Sequence, residues 1–179
     1  MSTSQDFPVN SFGSTVDAEY AYLYNRSGGA LVLGDVVVMN DLGTNTTYDD
    51  TDGSDTDVDK NVIAIAATEI NNRVRVAAEN IANGAKGKFW VRGRVPVKVA
   101  SLAASAVMGA KLTVSSAAAD GSTVVAKQLH ARLANSGTGP LNALTAAQQT
   151  YGSTKVGTTN TAAVVLCDFE GDGEGFVGV

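Results

Sequence analysis

Residues 83–99 read Asn-Gly-Ala-Lys-Gly-Lys-Phe-Trp-Val-Arg-Gly-Arg-Val-Pro-Val-Lys-Val and carry the clearest polar–apolar alternation in the chain. Successive strand side chains point to opposite faces. Regular alternation therefore places Phe89, Val91, Val95, Val97 and Val99 on one face and Trp90, Arg92, Arg94 and Lys98 on the other. The valine face suits a core. The second face combines an indole with three cations and suits a partner surface. Pro96 lacks the N–H that a strand ladder uses, which predicts a sheet edge at that point.

The rest of the chain reads as further short strands. Tyr20, Tyr22 and Tyr24 alternate with Ala21 and Leu23, giving a strand with aromatics on one face. Residues 25–29 form a turn. Apolar runs at 30–33 and 36–39 flank a Gly34-Asp35 corner. Residues 62–67 are continuously apolar and suit the interior, while 73–77 alternate. A strand at 110–115, a hairpin turn at Ala119-Asp-Gly and a return at 123–129 follow. Residues 101–108 read as a helical turn or a loop. Residues 145–151 predict a short helix capped by Thr145 and stopped by Gly152. The last long strand falls at 162–169, before a tight glycine turn at 171–175.

Valine-rich strands follow glycine at Leu33-Gly-Asp-Val-Val, Gly87-Lys-Phe-Trp-Val and Met108-Gly-Ala-Lys-Leu-Thr-Val. The spacing is too irregular for a repeat array. The expected fold class is all-β: a compact barrel or sandwich of short antiparallel strands, with an N-terminal arm and at most one or two short helices. Residues 1–18, polar and patternless, form the expected arm. Residues 19–179 form one β domain, with an acidic loop at 40–60 and a Gly/Thr-rich excursion at 134–160.

Composition agrees with this reading. The chain has 179 residues, of which 44% are hydrophobic and 17% charged. The charged share is below the usual level of about 25%, and small residues fill the difference. The net charge of −5 argues against general nucleic-acid affinity. Residues 69–132 hold ten Lys/Arg against three Asp/Glu, a local +7, and the remainder holds three against fifteen, a local −12. Such segregation steers copies of a chain toward one another or toward a charged scaffold, unless the fold intermixes the signs. No secretory leader is recognisable at the N-terminus. No apolar run approaches the roughly 20 residues of a membrane-spanning helix.

Candidate chemistry is sparse. His130 is the only histidine and Cys167 the only cysteine, so one of each leaves a zinc site short of ligands. No nucleophile elbow accompanies His130, which reads as a surface or interface side chain. Cys167 lies in an apolar run and reads as a buried, inert thiol. Asp49-Asp-Thr-Asp-Gly-Ser-Asp-Thr-Asp-Val-Asp fails the EF-hand pattern, because Tyr48 would occupy the first ligand place and Asp59 the last. Asp50, Asp52, Asp55, Asp57 and Asp59 are left as candidates for an irregular calcium loop, beside the simpler reading of a solvated acidic loop. Gly84-Ala-Lys-Gly-Lys and Gly171-Asp-Gly-Glu-Gly have the wrong spacing and context for phosphate or dinucleotide loops. Trp90, Arg92, Arg94 and Lys98 offer stacking and charge to a single strand of nucleic acid. The acidic total and the absence of a second aromatic on that face favour a protein interface instead, where Trp and Arg act as anchors. The inventory points to a non-enzymatic protein without a cofactor.

Three segments carry a family resemblance. They are Asn25-Arg-Ser-Gly-Gly-Ala-Leu-Val-Leu-Gly-Asp-Val-Val-Val, then Ile81-Ala-Asn-Gly-Ala-Lys-Gly-Lys-Phe-Trp-Val-Arg-Gly-Arg-Val-Pro-Val, then Met108-Gly-Ala-Lys-Leu-Thr-Val with Asp120-Gly. In this order they resemble the Gly-Asp-Val-Val corner, the glycine-led strand and the Ala-Gly-x-x-Leu corner of head decoration, or cement, proteins of tailed bacteriophages. Met108-Gly109 stands where Ala-Gly is more usual. The resemblance covers roughly residues 25–125; the acidic loop and the tail after 134 depart from it. It implies a virion structural protein on the capsid exterior that bridges subunits of the major capsid protein. It also implies a homo-oligomer, with a trimer favoured over a dimer; the charge balance and the lack of a long apolar run argue against nucleic-acid and membrane partners. A carbohydrate- or cell-surface-binding module is the alternative.

Overall fold

In a computed structural model, the residues described are 18–40, 60–65, 73–101, 105–106, 108–114, 127–132, 149–159, 161–173 and 175–176. The elements in chain order are all strands. They are β1 (Glu19–Asn25), β2 (Val36–Met39), β3 (Asn61–Ile63), β4 (Val74–Ala77), β5 (Lys86–Ser101), β6 (Ser105–Ala106), β7 (Lys111–Thr113), β8 (Leu129–Arg132), β9 (Gln149–Thr154), β10 (Thr158–Thr159), β11 (Ala163–Glu170) and β12 (Gly175–Phe176). The all-β reading holds.

Strand β5, 16 residues long, organises the fold. Its N-terminal half pairs with β1 and β4, and a chain of pairings β1–β3–β2–β4–β5 returns to β1. Its C-terminal half pairs with β11 and β8, and the pairings β5–β11–β9–β7–β8 return to β5. The ladder thus closes on itself twice, through one shared strand. Closure leaves few strand edges for unwanted pairing. A separate ribbon joins β6 to β10.

The two halves of β5 differ in face. Glu19 pairs with Arg92 but Tyr20 pairs with Trp90, so Val91 is an extra residue on β5. One inserted residue bends a strand and reverses the parity of everything beyond it. Gly93, two residues on, has φ +111, which glycine adopts without a Cβ penalty. The result is two cores. Phe89 packs with Leu23, Leu31, Val37, Met39, Val62, Ala77 and Ile81 inside the first circuit. Trp90 instead packs with Val95, Val97 and Val99, with Leu112, Leu129, Tyr151, Cys167 and Phe169, and with Val36, Val38, Val74 and Val76. All four residues of β2 and of β4 are buried because each strand feeds both cores. The alternation expected at 73–77 is therefore not seen, and Arg75 is buried. Its Nη1 donates to Val74 O at 2.8 Å, and its Nη2 pairs with Asp172 at 2.8 Å.

Three corners share one geometry. Gly34, Gly84 and Gly109 have φ of +86, +79 and +87. A strand begins two residues after each: β2 at Val36, β5 at Lys86, β7 at Lys111. Each glycine N–H donates across to another segment, to Ala77 O, Asn25 O and Thr154 O, at 2.7–2.8 Å. The recurrence visible in the sequence is this corner, and its second copy is centred on Gly84 rather than Gly87. Gly87 lies within β5, where a Cβ would collide with Ile81.

Several expectations change. Residues 30–33 contribute only a single bridge from Leu31 to Ile81, because the chain turns at once into the Gly34 corner. The strand expected at 62–67 is the shorter β3. Residues 149–151, read as the end of a helix, belong to β9, and 149–154 and 158–159 are strands within the stretch read as an excursion. The pull on them is tertiary: Tyr151 is fully buried. The strand expected at 123–129 is seen only at its end, as the start of β8. The arm to residue 17, the acidic stretch 41–59, the hairpin turn at 119–121 and residues 133–148 lie outside the described residues.

The edge expected at Pro96 is found locally: among the described residues β5 is paired there on one side only, by Leu166 of β11, although β5 as a whole has partners on both sides. Leu166 O accepts from Lys155 N, on the side away from β5, so Pro96 and Leu166 form a non-hydrogen-bonded pair. The missing N–H therefore faces the opposite side of β5, where Lys98 N donates to Gly34 O. No ladder is lost, which is why proline is tolerated here.

Candidate functional site

The four residues singled out from alternation do not form one surface. Trp90 is 3% exposed and belongs to the second core. The inserted Val91 is the physical reason: it turns Trp90 inward with the valines and leaves Arg92, Arg94 and Lys98 on the outer face. Tyr20 meets the Trp90 ring edge-on at 6.3 Å between centroids.

Each of the three cations has a carboxylate partner within the chain. Arg92 Nη2 donates to Glu19 Oε1 at 2.6 Å, and both side chains are more than half exposed. The bond to Glu19 holds the Arg92 proton more tightly than in a free guanidinium. Arg94 Nε donates to Asp168 Oδ1 at 3.1 Å, and Lys155 Nζ pairs with the other oxygen of the same carboxylate. Lys98 Nζ donates to Asp35 Oδ1 at 3.1 Å, and Lys127 Nζ lies 3.7 Å from Asp35 Oδ2. Asp35 is buried and also accepts from Val32 N at 3.1 Å, so this group fixes the Gly34 corner to β5. Burial alone would raise the Asp168 carboxyl. Its bonds to Lys155 and Arg94 outweigh that and hold it below the usual range.

This arrangement decides the question of charge segregation for the ion pairs seen. Arg75, Arg92, Arg94, Lys98 and Lys127 come from the basic stretch 69–132, and their partners Asp172, Glu19, Asp168 and Asp35 all lie outside it. Folding intermixes the signs. The outer face of β5 is an alternating charge ladder, not a positive patch.

Reading by alternation also passed over a second surface. Tyr20, Tyr22 and Tyr24 stand opposite Trp90, Lys88 and Lys86 across the β1–β5 pair. Lys88 Nζ sits 3.9 Å from the Tyr20 ring centroid. Lys86 Nζ and Arg26 Cζ lie 5.7 and 5.8 Å from that of Tyr24. Tyr20 and Tyr22 pack edge-on at 5.8 Å, and Tyr22 is 57% exposed. Such cation–π contacts contribute about 0.5–1 kcal/mol each at exposed sites. The tyrosine spacing was legible; the lysines opposite it depended on register.

His130 is buried on β8 rather than at the surface. Cys167 is buried, as its apolar run implied. Burial, with a smaller push from Asp168, raises its thiol to about 12, so it stays protonated and unreactive. Burial also raises the Tyr151 hydroxyl above its usual range. Among the described residues, no three His, Cys, Asp or Glu side chains converge as metal ligands. The calcium candidates Asp50, Asp52, Asp55, Asp57 and Asp59 lie outside those residues. No helix among the described residues is long and apolar enough to cross a membrane. The chain matches no protein-family model and no curated protein.

Proposed function

We propose that this chain is a non-enzymatic structural protein of a phage virion, which decorates or cements the capsid exterior by bridging coat subunits. The observation that carries the reading is the set of three corners at Gly34, Gly84 and Gly109. Each of the three segments resembling decoration proteins holds a left-handed glycine that delivers the chain into a strand; Gly173 stands likewise before β12, outside the resemblance. The resemblance therefore lies in residues that shape the fold, not in scattered composition.

The surface supports the same reading. A cement protein works through many modest contacts multiplied by symmetry, and needs no reactive centre. The alternating ladder of Glu19, Arg92, Arg94, Asp168, Lys155 and Lys98 is suited to docking against a mixed-charge surface and to setting register rather than raw affinity. The expected partners are the major capsid protein and further copies of this chain, with a trimer favoured. The test is sedimentation of purified protein with expanded, undecorated capsids of the phage that encodes it. Saturable co-sedimentation supports the reading, and its absence removes it.

A further inference from the structure

Asn83 is the only asparagine in the chain that is followed by glycine. Such a pair is the most open to spontaneous loss of ammonia, because no side chain on the second residue hinders attack by its main-chain nitrogen. It stands at the second of the three left-handed corners, where Gly84 has φ +79. The place before glycine is taken by Leu33 in the first corner and by Met108 in the third, so the corner itself does not require an asparagine. Asn83 and Gly84 are both exposed, and water reaches them.

The fold ties down both reacting groups. The Gly84 N–H donates to Asn25 O at 2.7 Å, and Asn25 N donates to Ala85 O at 2.9 Å. Asn83 Oδ1 accepts from Gly28 N at 3.2 Å. Asn25 is fully buried. Its Nδ2 donates to Gly29 O, Ile81 O and Ala82 O at 2.8–3.2 Å, and its Oδ1 accepts from Ser27 N and Oγ at 3.0 and 2.6 Å. The nitrogen that would attack is thus fixed as a donor to a rigidly held acceptor.

We propose that Asn83 is a deamidation site gated by this corner, intact while the corner is closed and converted once it opens. On opening, Gly84 N gives up its proton to water and bonds to Asn83 Cγ. The Cγ–Nδ2 bond breaks, Nδ2 takes up a proton and leaves as ammonia, and a cyclic succinimide remains. Water then opens the ring at one of its two carbonyls. One opening gives aspartate, whose carboxylate still accepts from Gly28 N. The other gives isoaspartate, which routes the main chain through the former side chain and lengthens it by a methylene. Gly84 N then cannot regain Asn25 O with β5 in register, so the corner keeps a one-way record of its opening. The inference is independent of the capsid reading, and failure of capsid docking leaves it standing.

The full chain is incubated at mildly alkaline pH, folded in buffer and unfolded in urea. Conversion at Asn83 is followed by peptide mass mapping and by an isoaspartate-specific methyltransferase. In urea, Asn83 is expected to convert faster than any other asparagine, and Gly84→Ala to slow it there, where folding is not in question. In the folded chain the rate is expected to fall at least about tenfold, because reaction waits on local opening. Asn25→Ala, which frees the corner and keeps the reactive pair, should bring the folded rate back toward the unfolded one. If Asn25→Ala does not fold, the comparison of folded with unfolded native sequence carries the test alone. Equal rates in the folded and unfolded chain, earlier conversion of another asparagine in urea, or a folded Asn25→Ala variant as slow as the native sequence would overturn the inference.

Discussion

Trp90 and Val95 enter the same core, although they are five positions apart and a regular strand would send them to opposite faces. The single extra residue at Val91 reconciles the two. It lets one strand line the first core with Phe89 and the second with Val95, Val97 and Val99. If this is right, Trp90→Ala leaves a large internal cavity and costs about 3–5 kcal/mol in chemical denaturation. As the only tryptophan, Trp90 reports directly: native emission should be blue-shifted and shielded from iodide. Ready quenching in the native state would place it at the surface.

Gly152 and Gly109 separate two costs of a side chain at positive φ. Gly152 has φ +99, and a Cβ there would overlap the carbonyl of Asp168 on the adjacent strand. Gly109 has φ +87 but, among the described residues, nothing within 4 Å of the same position. Gly109→Ala should cost about 1 kcal/mol of backbone strain, and Gly152→Ala about 3 kcal/mol or more, because β9 and β11 must also move apart. Equal midpoint shifts in denaturant would contradict the close approach.

Acid should loosen the second circuit through Asp168. Its carboxyl is held below the ordinary value of 3.8 by Lys155 and Arg94, against the effect of burial. A depressed carboxylate contributes stability that is present above its unfolded value and is lost as pH falls through its folded value. The loss should therefore begin below about pH 4. Asp168→Asn should be less stable at neutral pH and should show a flatter acid limb. The effect is modest, since the pair is open to solvent and screened by salt. An unchanged acid limb in the variant would remove the ion pair from the account.

Reversing charge on the outer face should weaken docking. Arg92→Glu faces Glu19 and Arg94→Glu faces Asp168, so the double variant replaces two attractions by two repulsions. Self-association or capsid binding should fall, and more so at low salt, where screening is least. Unchanged assembly of a folded double variant at low salt would move the contact elsewhere on the molecule.

Alternation was enough to read β1 and the middle of β5, and apolar runs marked β2 and β11. It was not enough for Trp90, since an inserted residue leaves no mark in composition beyond the nearby Gly93. The cations of the candidate site were legible, and their partners were not: Glu19, Asp35 and Asp168 lie 73, 63 and 74 residues away from Arg92, Lys98 and Arg94. Strand β9 was hidden for another reason. Its Gly- and Thr-rich sequence has little β signal apart from Tyr151, and it is a strand because β7, β11 and β12 flank it.

The most direct test of the proposed role is quantitative mass spectrometry of gradient-purified particles of the encoding phage. The account predicts this chain in a fixed stoichiometric ratio to the major capsid protein, retained through successive gradients. Absence from intact particles, or trace amounts that vary between preparations, would contradict it.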